Sequence, residues 1–182
     1  MGVSNLFGLL RGESAERSGY ELYGAAVQAA RLPYYYATLG VPDTVDGRFD
    51  MVGLHAYLLI RRLSADPQGQ KLSQAVFDAM FNDMDVNLRE MGVSDLSVGK
   101  RVKTMWEAFH GRANAYAEAM KTGPETLADA LARNLWPGER QEAAAARLAR
   151  IVYAQDAHLA RKSIAQIRAL EDLFLTPEVA AS

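Results

Sequence analysis

Apolar positions recur three and four residues apart along nearly the whole chain, and no stretch alternates with the period of two that marks a strand. The pattern predicts an all-α protein, a single-domain bundle of about six helices. The first helix is expected over residues 14–32, with Ser14 as its N-cap and Pro33 as its stop. Residues 33–47 are rich in turn formers and aromatics and read as a long packed loop. A second helix over 48–64 places Phe49, Val52, Ala56, Leu59, Ile60 and Leu63 on one stripe, with His55 at its edge as a boundary residue.

The third helix, over 68–91, buries Leu72, Val76, Phe77, Met80, Phe81, Met84, Leu88 and Met91, and Gly92 supplies a left-handed C-terminal cap. The fourth, over 97–121, turns Val98, Val102, Met105, Trp106, Phe109, Ala113, Tyr116 and Met120 inward. Gly123-Pro124 breaks it, and residues 124–135 form a short fifth helix ending before Pro137. Residues 139–174 stay helical in pattern; unbroken they would run roughly 50 Å, so a kink or break is expected near 155–158. Residues 1–13 and 176–182 are expected to be flexible ends of a domain over 14–175.

Composition narrows the chemistry. Of 182 residues, 49% are hydrophobic and 23% charged, as in an ordinary soluble protein. A net charge of −2 gives no global reason to expect nucleic-acid binding, and no DNA partner is expected. With no cysteine, disulfides, thiolate metal sites and cysteine nucleophiles are excluded. The N-terminal stretch does not read as a secretory signal. The longest apolar run, residues 52–60, contains His55 and Tyr57 and is far too short to span a bilayer. A cytoplasmic protein is expected, with peripheral contact at the inner face of the membrane.

No Walker loop, GxGxxG or GxSxG motif is present. His55, His110 and His158 form no HxxxH or ExxH pair, so no cofactor and no metal are expected. Asp78, Asn82, Asp85 and Arg89 share one face of the third helix, Asp85 and Arg89 as an exposed i, i+4 pair. Lys100, Arg101, Lys103 and Arg112 make the fourth helix locally basic. The charges flanking the turn, Asp83, Asp85, Arg89, Glu90, Asp95, Lys100, Arg101 and Arg112, are the candidate partner-binding surface; no catalytic residue is expected.

The wording of that turn carries a resemblance. Asn82-Asp83-Met84-Asp85 followed by Arg89-Glu90-Met91-Gly92-Val93-Ser94-Asp95-Leu96 resembles the core of the ubiquinol–cytochrome c chaperone family. The likeness continues in Ala30-Arg31-Leu32-Pro33, Tyr36, Leu39-Gly40-Val41-Pro42-Asp43-Thr44, Gly47-Arg48-Phe49-Asp50, Leu54-His55, Arg61-Arg62-Leu63, and then Val98, Lys100, Phe109, Gly111, Arg112 and Tyr116. These pieces follow one order across residues 20–175, with the C-terminal portion matching only loosely.

The resemblance implies a non-enzymatic assembly chaperone that binds newly made cytochrome b during biogenesis of the bc1 complex. It also implies a small co-chaperone and the ribosome as further partners. The chain reads as a bacterial form without the long N-terminal extension of mitochondrial relatives. Two other readings stay open from the residues alone. One is a small helical enzyme or haem/cofactor binder, built where His55 or His110 meets several acids. The other is a peripheral module binding anionic lipid through Lys100, Arg101 and Lys103.

Overall fold

Helix α2 (Val45–Ser64) is the axis around which the other elements are laid. Residues 51–59 are buried on every side, not along one stripe, so the longest apolar run of the chain is a central core helix. Thr44 caps it by accepting the Gly47 N–H at 3.1 Å, and Asp46 in the first turn and Arg61 and Arg62 in the last complement its dipole. The computed structural model describes residues 3–138 and 141–181, with side chains described from residue 14. Among these there is no strand.

Around α2 pack α1 (Val3–Ala30), α3 (Gln70–Glu90), α4 (Asp95–Thr122), α5 (Pro124–Leu135) and α6 (Glu142–Ala160). Two short helices follow, α7 (Ile164–Arg168) and α8 (Pro177–Ala180). The all-α architecture with six long helices is as expected from the periodicity. The first helix begins at Val3, well before Ser14, which lies inside it. Residues 1–2, 139–140 and 182 lie outside the described part, so the outermost ends of the expected tails are not covered.

The aromatic loop expected over 33–47 is part helix. Residues Tyr34–Thr38 form one π-turn, closed by the Leu39 N–H on the Tyr34 carbonyl at 3.1 Å. The loop is tied down at three points. Tyr36 donates to the Ala30 carbonyl at 2.9 Å, Trp136 Nε1 to the Gly40 carbonyl at 2.8 Å, and Tyr35 meets His55 at 3.2 Å.

The late break falls at 161–163, not 155–158, and the reason is local. Ser163 and Gln166 form a reciprocal capping box that starts α7. Arg62 of α2 donates to the Leu159 and Lys162 carbonyls at 3.1 and 2.7 Å, satisfying the end of α6. Gln155 is continuous helix; its buried amide grips the backbone of Leu175, donating at 2.8 Å and accepting at 3.0 Å. His55 is also not a boundary residue: it is 2% exposed, deep in the core.

α1 and α3 approach closely because Gly19 lacks a side chain: a Cβ there would fall 2.6 Å from the Ala75 backbone. Gly19→Ala is therefore expected to lower the melting temperature by roughly 2–10 °C, the result of about 1–3 kcal/mol of overpacking. Differential scanning calorimetry checks this, and an unchanged melting temperature would contradict the tight crossing.

Candidate functional site

α3 and α4 are joined by four residues, and the backbone of the joint is closed. Gly92 takes φ +83°, its N–H reaching the Arg89 carbonyl at 2.9 Å and the Val93 N–H reaching Leu88 at 3.0 Å. That is a complete Schellman cap, the conformation Gly92 was expected to supply. Arg89 then bridges the two helices, pairing with Asp85 one turn before it at 2.5 Å and with Asp95 in the first turn of α4. Both pairs are solvent-exposed, so they order the turn more than they stabilise the fold.

The eight charged residues singled out from the sequence divide sharply in space. Asp83 faces α1, accepting a hydrogen bond from the buried Tyr23 hydroxyl at 2.7 Å. Asp85 and Asp95 are both engaged by Arg89. Arg112 lies 2.7 Å from the buried carboxylate of Asp50, tying α4 to α2. Glu90, Lys100 and Arg101 are exposed and have no hydrogen-bond or ion-pair partner for their side chains among the described residues. Lys103, by contrast, pairs with Glu107 at 3.8 Å.

Lys100, Arg101 and Arg112 line an open groove of about 750 Å³ between α4, the end of α3 and the start of α2. Its floor is apolar: Phe49, Leu88, Met91, Met105 and Ala108. Val45 at the lip is 62% exposed and Met91 is 61% exposed, which a folded chain does not need for its own core. Leu96, at the tip of the turn, is 97% exposed. On another part of α4, Trp106 is not buried as expected but 43% exposed. It packs on His110, with ring centroids 4.2 Å apart, at the edge of an aromatic cluster with Phe77, Phe81 and Phe109.

Two buried titratable groups belong to α2. Asp50 is 8% exposed, and burial pushes its carboxyl up to about 6 although Arg112 opposes the shift. The guanidinium meets Oδ1 as a charge; that oxygen receives no well-aligned hydrogen bond. His55 Nδ1 lies 2.8 Å from the Met51 carbonyl, which only accepts, so Nδ1 carries the proton and Nε2 accepts from Tyr35. Burial pulls the imidazole down to about 4. Among the described residues no three His, Asp or Glu side chains converge as a metal site requires. The arrangement is one of apolar floor, charged rim and internally satisfied polar groups, suited to docking a partner.

A family model described as ubiquinol-cytochrome C chaperone matches residues 37–174. The chain belongs to the ubiquinol–cytochrome c chaperone family. It is a family of chaperones and assembly factors, not of enzymes. Similar curated proteins include "Protein CBP3, mitochondrial" of Saccharomyces cerevisiae, 32% identical over 111 residues, which are 59% of this chain and 33% of that one. The ubiquinol-cytochrome-c reductase complex assembly factor 1 of Xenopus laevis is 23% identical over 115 residues, 63% of this chain and 58% of the relative. The chain thus spans from a third to somewhat over half the length of these two relatives. The crystal structure of the Cbp3 homolog from Brucella abortus superposes with a TM-score of 0.82 at 32% identity, covering 95% of this chain and 98% of that one.

Much of the polar wording that resembles the chaperone family holds the fold. Asp43 pairs with Arg48 at 2.5 Å, Arg61 with Asp156 at 3.0 Å, and Asn134 donates to Tyr116 at 3.2 Å. What the sequence reading missed is the contribution of α2 to the groove through Val45, Phe49 and Asp50. Phe49 was read as part of a buried stripe and Asp50 as a lone acid beside an apolar run, neither as lining a groove.

The two buried groups set opposite pH dependences. Native Asp50 keeps its proton up to about 6 and the unfolded carboxyl only to 3.8, so its contribution to stability falls as pH rises through that window. Native His55 stays neutral down to about 4 while the unfolded ring protonates near 6.5, so its contribution falls as pH drops from 6.5 to 4. Asp50→Asn is therefore expected to lose stability more steeply than wild type on acidification from pH 6.5 to 4.5, by urea midpoint. Parallel curves would contradict the raised Asp50.

Proposed function

We propose that this chain is an assembly chaperone of the cytochrome bc1 complex, and that it holds an apolar segment of newly made cytochrome b in the groove between α2, α3 and α4. The observation that carries the reading is an apolar, methionine-lined floor left open in a member of this chaperone family. Relatives are named as ubiquinol–cytochrome c reductase assembly factors, which supplies the complex. Methionine side chains are flexible and polarizable, so Met91 and Met105 suit a client that must be held transiently and released.

No described helix is long and apolar enough to cross a membrane. In this reading the chaperone meets its client from outside the bilayer, at the inner face of the cytoplasmic membrane. A small co-chaperone and the ribosome belong to the same reading as further contacts. The enzyme or haem-binder reading is not favoured, because both nitrogens of His55 are engaged inside the core and His110 sits among aromatic rings.

Deletion of the gene in a host with a bc1 complex is expected to lower bc1 content, read by the cytochrome b absorbance difference spectrum. Met105→Lys, at a half-buried position on the groove floor, is expected to leave the helical content intact. It should fail to restore the complex, since losing one well-buried apolar contact weakens binding roughly tenfold or more. Normal bc1 content after deletion would overturn the proposal.

A further inference from the structure

The charges around the groove leave a specific remainder. Asp85 and Asp95 are engaged by Arg89, Arg112 lies on Asp50, and Lys103 faces Glu107. Among the basic residues Lys100 and Arg101 are left, adjacent on α4, exposed, lining the groove, and without a partner among the described residues; Glu90, the free acid nearby, does not line it. On the α2 side the lining contributes Asp46 and Asp50, the latter facing Arg112, so Lys100 and Arg101 leave the α4 side cationic above an apolar floor.

We infer that the occupant of this groove is an amphipathic helix of a partner protein whose apolar stripe lies on Phe49, Leu88, Met91 and Met105 and whose flank carries carboxylates facing Lys100 and Arg101. The inference rests on the docking role proposed above and adds the chemistry of what docks. Helix-in-groove recognition uses apolar anchors at i, i+3, i+4 and i+7, and opposite charge at the rim sets orientation and encounter rate. The shape favours a helix over an anionic bilayer. The two free cations overhang a concavity instead of capping a flat face, and the third basic residue of the run, Lys103, is paired with Glu107 and does not line the groove.

The test uses the full chain and a displayed library of 18-residue helices. Leucine is fixed at i, i+3, i+4 and i+7, and Asp, Glu, Lys, Arg, Ser and Gln vary at the other positions. Wild type is expected to enrich Asp and Glu over Lys and Arg on one flank. The double variant Lys100→Glu, Arg101→Glu is expected to reverse that preference and bind the selected acidic helices about tenfold more weakly. Met91→Lys with Met105→Lys should abolish enrichment altogether. Selected helices that bind this methionine variant normally would show that the groove is not the docking site. Enrichment lost in the methionine variant but without acidic preference in wild type would overturn the charge inference alone. Flotation with vesicles of 30% phosphatidylglycerol that disappears in the charge variant, with no helix enriched, would assign the two cations to lipid and overturn the inference.

Discussion

The burial of the middle of α2, residues 51–59, on all its faces is the constraint from which the rest of the arrangement follows. A helix of 20 residues with twelve of them buried must be surrounded, and the chain does this with five other long helices. Polar groups on such a helix are costly unless each finds a partner. Four of them tie α2 to three other elements: Asp50 to α4 through Arg112, His55 to the aromatic turn through Tyr35, and Arg61 and Arg62 to α6. The polar residues of α2 thus act as addresses for the packing elements as well as local stabilisers.

The packing runs thin along one helix. α4 is 28 residues long but buries only Val98, Phe109, Tyr116 and Ala119, and of these only Val98 lies in its first half. That end is held by the turn itself, through the Gly92 cap and the Asp85–Arg89–Asp95 bridge, and by the aromatic contacts of Phe77 and Phe81 with Phe109. A rigid hairpin with an incompletely covered apolar side leaves a groove without demanding disorder. It is the simplest physical route by which a small bundle can carry a client site beside a well-packed core.

Most of the fold was legible because its signals are local. Pro124 after Gly123 placed α5 at its observed bounds, and Gly92 placed the end of α3. The break after α6 was displaced because the Ser163–Gln166 capping box and the reach of Arg62 across the bundle outweigh the composition of 155–158. His55 and Trp106 were misjudged for one shared reason. Periodicity shows which face of a helix is apolar, but not whether another helix arrives to cover it or covers the opposite face as well. The candidate site was legible only in part. Its charged residues were visible, yet their division into engaged and free depends on distances between helices far apart in sequence, as with Arg112 and Asp50. Phe49 was visible only as part of an apolar stripe, and the apolar lip at Val45 had no sequence signal at all.

The most direct measurement is site-specific photo-crosslinking in cells assembling the bc1 complex, with the photoreactive residue placed at Thr104 in the groove or at Glu118 on an exposed part of α4 outside it. Adducts with newly made cytochrome b from position 104 and none from 118 are the expected result. Adducts from 118 alone, or equally from both, would contradict the placement of the client in this groove.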